Sequence, residues 1–449
     1  MARKYWDEIE VLSRTDLRKI QGEKLAKKVG QVFNCSPFFQ RKLKEAGIDP
    51  STVKSVEDLQ RLPFTTRDEL VRNQREHAPF GQVHCIGLDK AALVGRSGVS
   101  FSRSANRINV MASHGDVRRN GSLLIRALWA GGIRASEKVY IAEDPRYNIV
   151  MGYIPRAMCD LGATMVFTGA EKAARNARYI TKMVPPQHYF LYPTYAQYLS
   201  GVIREEENRD LPVRSIFGWG EPGYSIPGTR QRLKERWSQV AAGDLNIIDV
   251  YVMTEGGVLG YGCGRDDGAL HGFEDAVIYE VIDPDSGAPV GAGERGELVI
   301  THLEGEGLPL LRYRTGDVTT IDEGPCTCGR THVKLRGVDR LSERLTVRGK
   351  PVYANDVEDI LRQMGEAGDN FRIVANGKDS LRVLLNPLGA DRQSAIASRL
   401  ERDLGVPVEI ETRSVEEMPR YIHRSHRLYD DSKASFYDDI HKTQAQLEV

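Results

Sequence analysis

Three short segments place polar side chains where an apolar run gives way to glycine. In "DVYVMTEGG", Thr254 and Glu255 close a strand-like run ahead of two glycines. A hydroxyl and a carboxylate there can hold a phosphate oxygen and its magnesium, and Tyr251 offers a flat face to a base. In "PLLRYRTGD" a Gly turn ends in Asp317, whose carboxylate can accept hydrogen bonds from both hydroxyls of a ribose. In "GWGEPG" Gly218 and Gly220 flank Trp219 ahead of Glu221 and Pro222, so a planar ring can approach the backbone and Trp219 can wall an aromatic pocket. Each segment also has a plainer reading: an ordinary strand-to-loop transition, a self-capped turn, and a core tryptophan.

The cysteines pose a separate question. "YGCGRDDGALHGFED" supplies Cys263 and His271, and "CTCGRTH" supplies Cys326 and Cys328, two pairs that can close a tetrahedral Cys3His zinc site. The C-x-C spacing is shorter than the usual C-x2-C, and His332 competes with His271 as the fourth ligand. Cys35, Cys85 and Cys159 stand alone and read as buried thiols, so the six cysteines form no disulfide framework.

The elements that must position these residues follow from periodicity. The first 80 or so residues carry helical patterns with Ser/Thr caps, as in "STVKSVEDLQRL" and "TTRDELVRN". From 121 to 218, strand-like runs ("EKVYIAE", "ATMVFTG", "HYFLYPT", "VRSIFG") alternate with amphipathic helices, the pattern of a parallel sheet that binds ligands beyond its strands' carboxyl ends. After residue 270, turn signals such as "DPDSG" and "GAGERG" predict antiparallel strands, and beyond about 341 a small α+β domain is expected. The expected division is 1–340 and 341–449.

At 449 residues with 62 basic and 62 acidic side chains, the chain has no net field to recruit nucleic acid or an anionic membrane. No apolar run approaches the roughly 20 residues that span a bilayer, and "MARKYWDEIEVL" lacks a signal-peptide core, so a cytoplasmic protein is expected.

Taken in order, "RALWAGGI", "YPTYAQYL", "GWGEPG", "YVMTEGG", "LLRYRTGDV", "CTCGRTH" and "VRGKPVYANDVEDIL" resemble the phenylacetate-CoA ligase branch of the adenylate-forming enzymes, and the likeness covers most of the chain. The resemblance implies a large N-terminal α/β domain with an antiparallel subdomain and a small mobile α+β C-terminal domain. It implies ATP with Mg2+, an aromatic or cyclic carboxylic acid, an acyl-adenylate, and transfer to the thiol of CoA or to an amine. By position, Tyr251 resembles the adenine-stacking residue, Thr254 and Glu255 the α-phosphate and magnesium ligands, and Asp317 the ribose clamp. Gly220, Glu221 and Pro222 fall with the nucleotide-binding positions. Arg340 is similar to the arginine before a hinge that then lies near Ser342 and Glu343, and Tyr147, Tyr195 and Trp219 would line the acyl pocket. Some relatives carry a structural zinc at matching positions, and a homodimer is a further implication.

Two departures touch ATP cleavage. The family's phosphate loop has the form SSGTTGKP. "GRSGVSFSRSANR" keeps Ser97 and Gly98, but Val99, Phe101 and Arg103 interrupt the run and its lysine is absent. In "MPRYIHRSHRLYDD", Arg424 stands where the family carries its adenylation lysine, exchanging a compact charge for a planar fork. Two readings follow: an acid-activating ligase with altered phosphate contacts, or a relative that has lost adenylation and keeps the cleft for acyl transfer, condensation or ligand binding.

Overall fold

The structure, a computed structural model, describes residues 3–97, 107–142, 149–168, 173–206, 210–265, 268–365, 370–374, 379–414, 416–418 and 427–429. The helical lead-in forms as α1 (Arg14–Cys35), α2 (Pro37–Glu45) and α3 (Arg67–Glu76). Ser13 caps the first, Ser36 the second, and Thr66 with Glu69 closes a capping box on the third. The hairpin β1 (Ala91–Arg96) and β2 (Asn109–Ser113) follows, then α4 (His114–Ala130), β3 (Lys138–Ile141), α5 (Ile154–Leu161) and β4 (Thr164–Phe167). Next come α6 (Ala173–Lys182), β5 (His188–Phe190), α7 (Pro193–Glu205), β6 (Ser215–Gly218), α8 (Pro227–Trp237) and β7 (Asn246–Met253). Six strands run on: β8 (Gly257–Gly262), β9 (Leu270–Gly272), β10 (Val277–Ile282), β11 (Gly296–His302), β12 (Tyr313–Asp322) and β13 (Lys334–Arg340). The chain closes with β14 (Arg344–Val347), β15 (Lys350–Tyr353), α9 (Ala354–Gln363), β16 (Phe371–Val374), β17 (Leu381–Leu385), α10 (Ala390–Leu404), β18 (Val408–Thr412) and β19 (Leu428–Tyr429).

The contacts group into two compact units, 1–137 with 144–165 and 250–336, and 138–143 with 166–249 and 337–449. In the first, α4 packs on β8, and the strands from β7 onward pair antiparallel: β7 with β8, β8 with β9, β9 with β13, β10 with β11 and β11 with β12. After the parallel strands, antiparallel pairing begins with the β7–β8 hairpin rather than near 270, because "TEGG" is itself the turn of that hairpin. Gly257 has φ +71°, and a Cβ there would overlap the Asn120 amide of α4.

One cysteine expectation is overturned in this unit. Cys35, ending α1, and Cys85, ahead of β1, are bonded to each other as a disulfide, and Cys159 is exposed rather than buried. Neither fact has a local sequence signal, since the two bonded residues lie 50 positions apart.

In the second unit β3, β5, β6 and β7 are parallel neighbours, as the strand–helix alternation predicts. Tyr140, Ala177, Leu199, Leu233 and Trp237 belong to its core. A further core holds Val357, Leu361, Phe371, Val383, Leu385, Ile396 and Leu400, between α9, α10 and the strands β18-β17-β16-β19. Arg427 is buried here. Its guanidinium contacts Asp339 at 3.1 Å, Glu358 at 3.4 Å, Glu343 and the Asn355 amide. Arg340 lies 3.7 Å from Glu343 and Arg362 3.4 Å from Glu358, so three cations offset three carboxylates.

Among the described residues no helix is long and apolar enough to cross a membrane.

Buried His84 in the first unit gives the fold a defined acid sensitivity. Its Nε2 accepts from the Met111 N–H at 3.3 Å, and burial is the main cause that holds its pKa down at about 4. An unfolded chain protonates the same group below about 6.5, so the unfolded state takes up protons first as pH falls. The contribution of neutral His84 is complete above that pH and lost as pH falls toward 4, on the order of 3 kcal/mol in all. In urea titrations His84→Gln should flatten this part of the pH–stability curve. A variant curve parallel to the wild-type one over the same interval would rule His84 out as its source.

Candidate active site

The β7–β8 turn carries Thr254 and Glu255, both buried. The turn is held from two sides: the Asn120 Oδ1 accepts from the Val258 N–H at 3.1 Å, and the His302 Nε2 donates to the Gly256 carbonyl at 3.0 Å. Burial holds the His302 pKa well below the usual histidine range. The Glu255 side chain is 5% exposed, and its Oε1 is ion-paired with Arg67 Nη1. The Arg67 Nη2 also donates to Ser97 Oγ at 3.0 Å. Ser97 Oγ further accepts from the Ile108 N–H at 2.9 Å, while the Ser97 N–H donates to the Ile108 carbonyl at 2.8 Å. Ser97 thus ties the two ends of the segment expected to be the phosphate loop. Gly98 and the rest of that segment to residue 106 lie outside the described residues.

Asp317 is turned by an irregularity in β12. Pairing with β11 runs Glu297↔Val318 and then Val299↔Arg314, so Thr315, Gly316 and Asp317 bulge opposite Leu298. Gly316 takes φ +72° and donates its N–H to Glu297 at 3.2 Å, and the Asp317 N–H donates to Thr315 Oγ1 at 3.0 Å. A bulge of this kind re-aims a side chain. The Tyr251 hydroxyl donates to Asp317 Oδ2 at 2.5 Å. Burial, then the adjacent carboxylate, push the Tyr251 hydroxyl well above the usual range, so it remains a donor.

The second unit holds the remaining candidates. Trp219 is 1% exposed and packs edge-to-face on Phe190 with ring centroids 4.4 Å apart. Gly220 has φ +85°, and a Cβ there would overlap the Tyr192 ring. Glu221 Oε1 accepts from the Thr194 N–H at 2.6 Å and so caps α7, whose own N-cap residue, Tyr192, makes no side-chain cap. Pro222 follows, half-buried. Tyr195 is buried among Tyr140, Tyr189 and Leu199, the surroundings of a packed core. Arg340 lies in the ion network beside Glu343. Tyr147 and Arg424 lie outside the described residues.

Cys263, His271, Cys326 and Cys328 come together in the first unit, their ligand atoms all within 4.8 Å of one another. Cys263 Sγ lies 3.7 Å from Cys326 Sγ, and Cys328 Sγ 3.4 Å from His271 Nε2. Bonds of about 2.3 Å to sulfur and 2.0 Å to nitrogen in a tetrahedron have edges of about 3.5–3.8 Å, which fits the donor set to zinc. The His271 Nδ1 donates to the His332 carbonyl at 3.3 Å and leaves Nε2 to face the thiols. His332 is not the competing ligand: its Nδ1 accepts from the Glu274 N–H at 3.0 Å and its Nε2 donates to the Ile9 carbonyl at 2.8 Å.

Arg67 is absent from the sequence-derived candidates. One signal pointed to it: a basic residue opens α3, where the helix dipole disfavours positive charge.

No family model matches the chain. A phenylacetate-coenzyme A ligase of Thermus thermophilus is 31% identical over 391 residues, 84% of this chain and 82% of the relative. The Escherichia coli phenylacetate-coenzyme A ligase is 25% identical, with 84% of each chain covered. Among solved structures, a 2-hydroxyisobutyryl-CoA ligase in its postadenylation state superposes with a TM-score of 0.85 at 26% identity, over 99% of this chain and 96% of that one. The sequence motifs, the α/β architecture and these relatives agree: the chain belongs to the phenylacetate-coenzyme A ligase family of adenylate-forming enzymes and is an acid-activating ligase.

Proposed function

We propose that the protein activates an aromatic or cyclic carboxylic acid with ATP and passes the acyl group to CoA or an amine. The observation that carries this reading is the buried Glu255 carboxylate at the β7 end, joined through Arg67 to the first residue of the phosphate loop. In the first half-reaction an oxygen of the substrate carboxylate attacks the α-phosphorus, the α–β P–O bond breaks, and pyrophosphate leaves. In the second, the acceptor thiol or amine attacks the acyl carbonyl, AMP departs, and the acceptor's proton is lost to solvent. No side chain needs to act as nucleophile, so the protein contributes charge and position.

On this reading Tyr251 lies under the adenine and Asp317 accepts from the ribose hydroxyls. Thr254 and the free oxygen of Glu255 hold the α-phosphate and Mg2+, which neutralises phosphate charge when bound. The donor set fits, since both are hard oxygen ligands and Oε1 alone is taken by Arg67. Ser97, Gly98, Gly220, Glu221, Pro222 and Arg340 complete the nucleotide-binding set, Glu221 through the α7 cap. Trp219 and Tyr147 serve the acyl side, with Tyr195 backing that wall from the packed core rather than facing the acid, and Arg424 supplies a cation to the reacting carboxylate and phosphate. Residues 341–449 act as the mobile domain, swinging about Ser342 and Glu343 between the two half-reactions. On this reading the protein works in the cytoplasm, where ATP and CoA are at hand.

Pyrophosphate exchange with a panel of aryl and cyclic acids tests the proposal. Exchange should depend on one class of acid and fall at least about a hundredfold in Glu255→Gln, the scale of losing a charged transition-state contact. Arg424→Lys should raise the rate. Absence of exchange with every acid, together with tight binding of AMP, would leave the chain a binder with the ligase fold.

For the metal, elemental analysis of the purified protein should find about one zinc per chain, the stoichiometry of a single four-ligand site. Cys328→Ser should lose most of it and lower the melting temperature. Fully stable protein free of zinc would end the claim.

A further inference from the structure

The backbone just ahead of Arg67 is pinned by hydrogen bonds to a distant strand. The Thr65 N–H donates to the Arg312 carbonyl at 2.9 Å, the Arg314 N–H donates to the Thr65 carbonyl at 2.9 Å, and Thr65 Oγ1 donates to the Leu311 carbonyl at 2.8 Å. These bonds stitch the chain just ahead of α3 to the start of β12. From there the guanidinium spans Glu255 and Ser97, with the Tyr313 hydroxyl also beside it.

Two effects of this placement oppose each other for a metal ion. By holding Oε1, Arg67 orients the carboxylate and leaves Oε2 as the oxygen offered to a cation. Orienting partners of this kind are worth roughly 10–100-fold in metal affinity. Against that, a fixed positive charge a few ångströms away repels a bare dication. At an effective dielectric constant of about 20 this repulsion amounts to several times the thermal energy and outweighs the gain from orientation. A metal ion arriving with nucleotide phosphates brings net negative charge, and then both effects favour binding. Ser97 reinforces the difference. Its oxygen accepts from both Arg67 and the Ile108 N–H, so its own proton is left to donate to an anion.

Building on the ligase reading above, we infer that Arg67 is the residue that makes the Glu255 site select the metal–nucleotide complex over the free divalent cation. Arg67 cancels the carboxylate's charge when no ligand is bound and, once Glu255 faces the metal, becomes a phosphate-side cation beside Ser97, next to a segment that lacks the family's lysine.

The test compares two binding measurements that need no turnover. Free Mn2+ is titrated into wild-type protein and Arg67→Gln by electron paramagnetic resonance, and the magnesium complex of a non-hydrolysable ATP analogue is titrated by calorimetry. The expected result is a change of opposite sign: Mn2+ binds about tenfold or more tightly in Arg67→Gln, and the metal–nucleotide complex about tenfold or more weakly. Loss of both affinities together would mean a merely structural role, and no change in either would mean no role. Both results overturn the inference. Arg67→Lys keeps the charge without the fork, so it should bind free Mn2+ as weakly as wild type and recover part of the nucleotide affinity. Tighter Mn2+ binding by this variant also overturns the inference, which keeps the test decisive if Arg67→Gln does not fold. Failure of pyrophosphate exchange in the wild type would sink the ligase reading and leave these binding results standing on their own.

Discussion

A carboxylate removed from water must be met by a cation, and the placement of Glu255 depends on that constraint. The Glu255 side chain is tolerated in its buried position because Arg67 reaches it. The same rule recurs away from the site. Arg126 meets Asp275 through two bonds of 2.8 and 2.9 Å, and Arg330 meets Glu10 at 2.7 Å beside the Tyr261 hydroxyl. In the second unit, Arg427 gathers Asp339, Glu343 and Glu358. Each pair joins segments far apart in sequence, so the charges that permit burial also fix which elements meet.

What could be read from the sequence divides along the same line. The positions of Thr254 and Glu255 after a strand were legible because a strand period ending in glycine is a local pattern, whereas the Gly turn expected to end in Asp317 is a bulge inside β12, which only the pairing with β11 reveals. The four metal-ligating candidates were legible because cysteine and histidine carry their chemistry in their identity. The pairing of Tyr261 with His271 and of His271 with Lys334 supplies the approach that spacing alone left open. Beyond the misplaced positive charge at the α3 start, the role of Arg67 was not legible, because its partner lies 188 residues away and only the stitching of Thr65 to the β12 start brings them together. The Cys35–Cys85 bond failed for the same reason, and the choice between His271 and His332 rested on backbone partners that no composition reveals.

Rigidity at the candidate site comes from neighbours rather than from the motifs themselves. The "TEGG" turn has two glycines and would be loose alone; Asn120 and His302 take up its backbone groups. Likewise "GWGEPG" is held by the Glu221 cap on α7 and by the Tyr192 ring over Gly220. Glycine permits the close approach, and a side chain from another element then makes use of it.

The altered phosphate loop can be weighed in the same terms. A loop that wraps a triphosphate with backbone amides needs small residues, because every peptide must come within hydrogen-bond reach of an oxygen. Val99 and Phe101 work against that arrangement. A guanidinium makes a different demand: it reaches further than an amide, grips two phosphate oxygens at once and keeps its charge at any physiological pH. The chain offers arginine at 67, beside Ser97, at 103, and at 424, where the sequence resemblance implies a lysine. A phosphate site built on such forks would not require the loop backbone to close around its ligand. On the ligase reading, the bulky residues in "SGVSFSRS" and an arginine at 424 would then belong to one change in how phosphate is held, rather than to two separate losses.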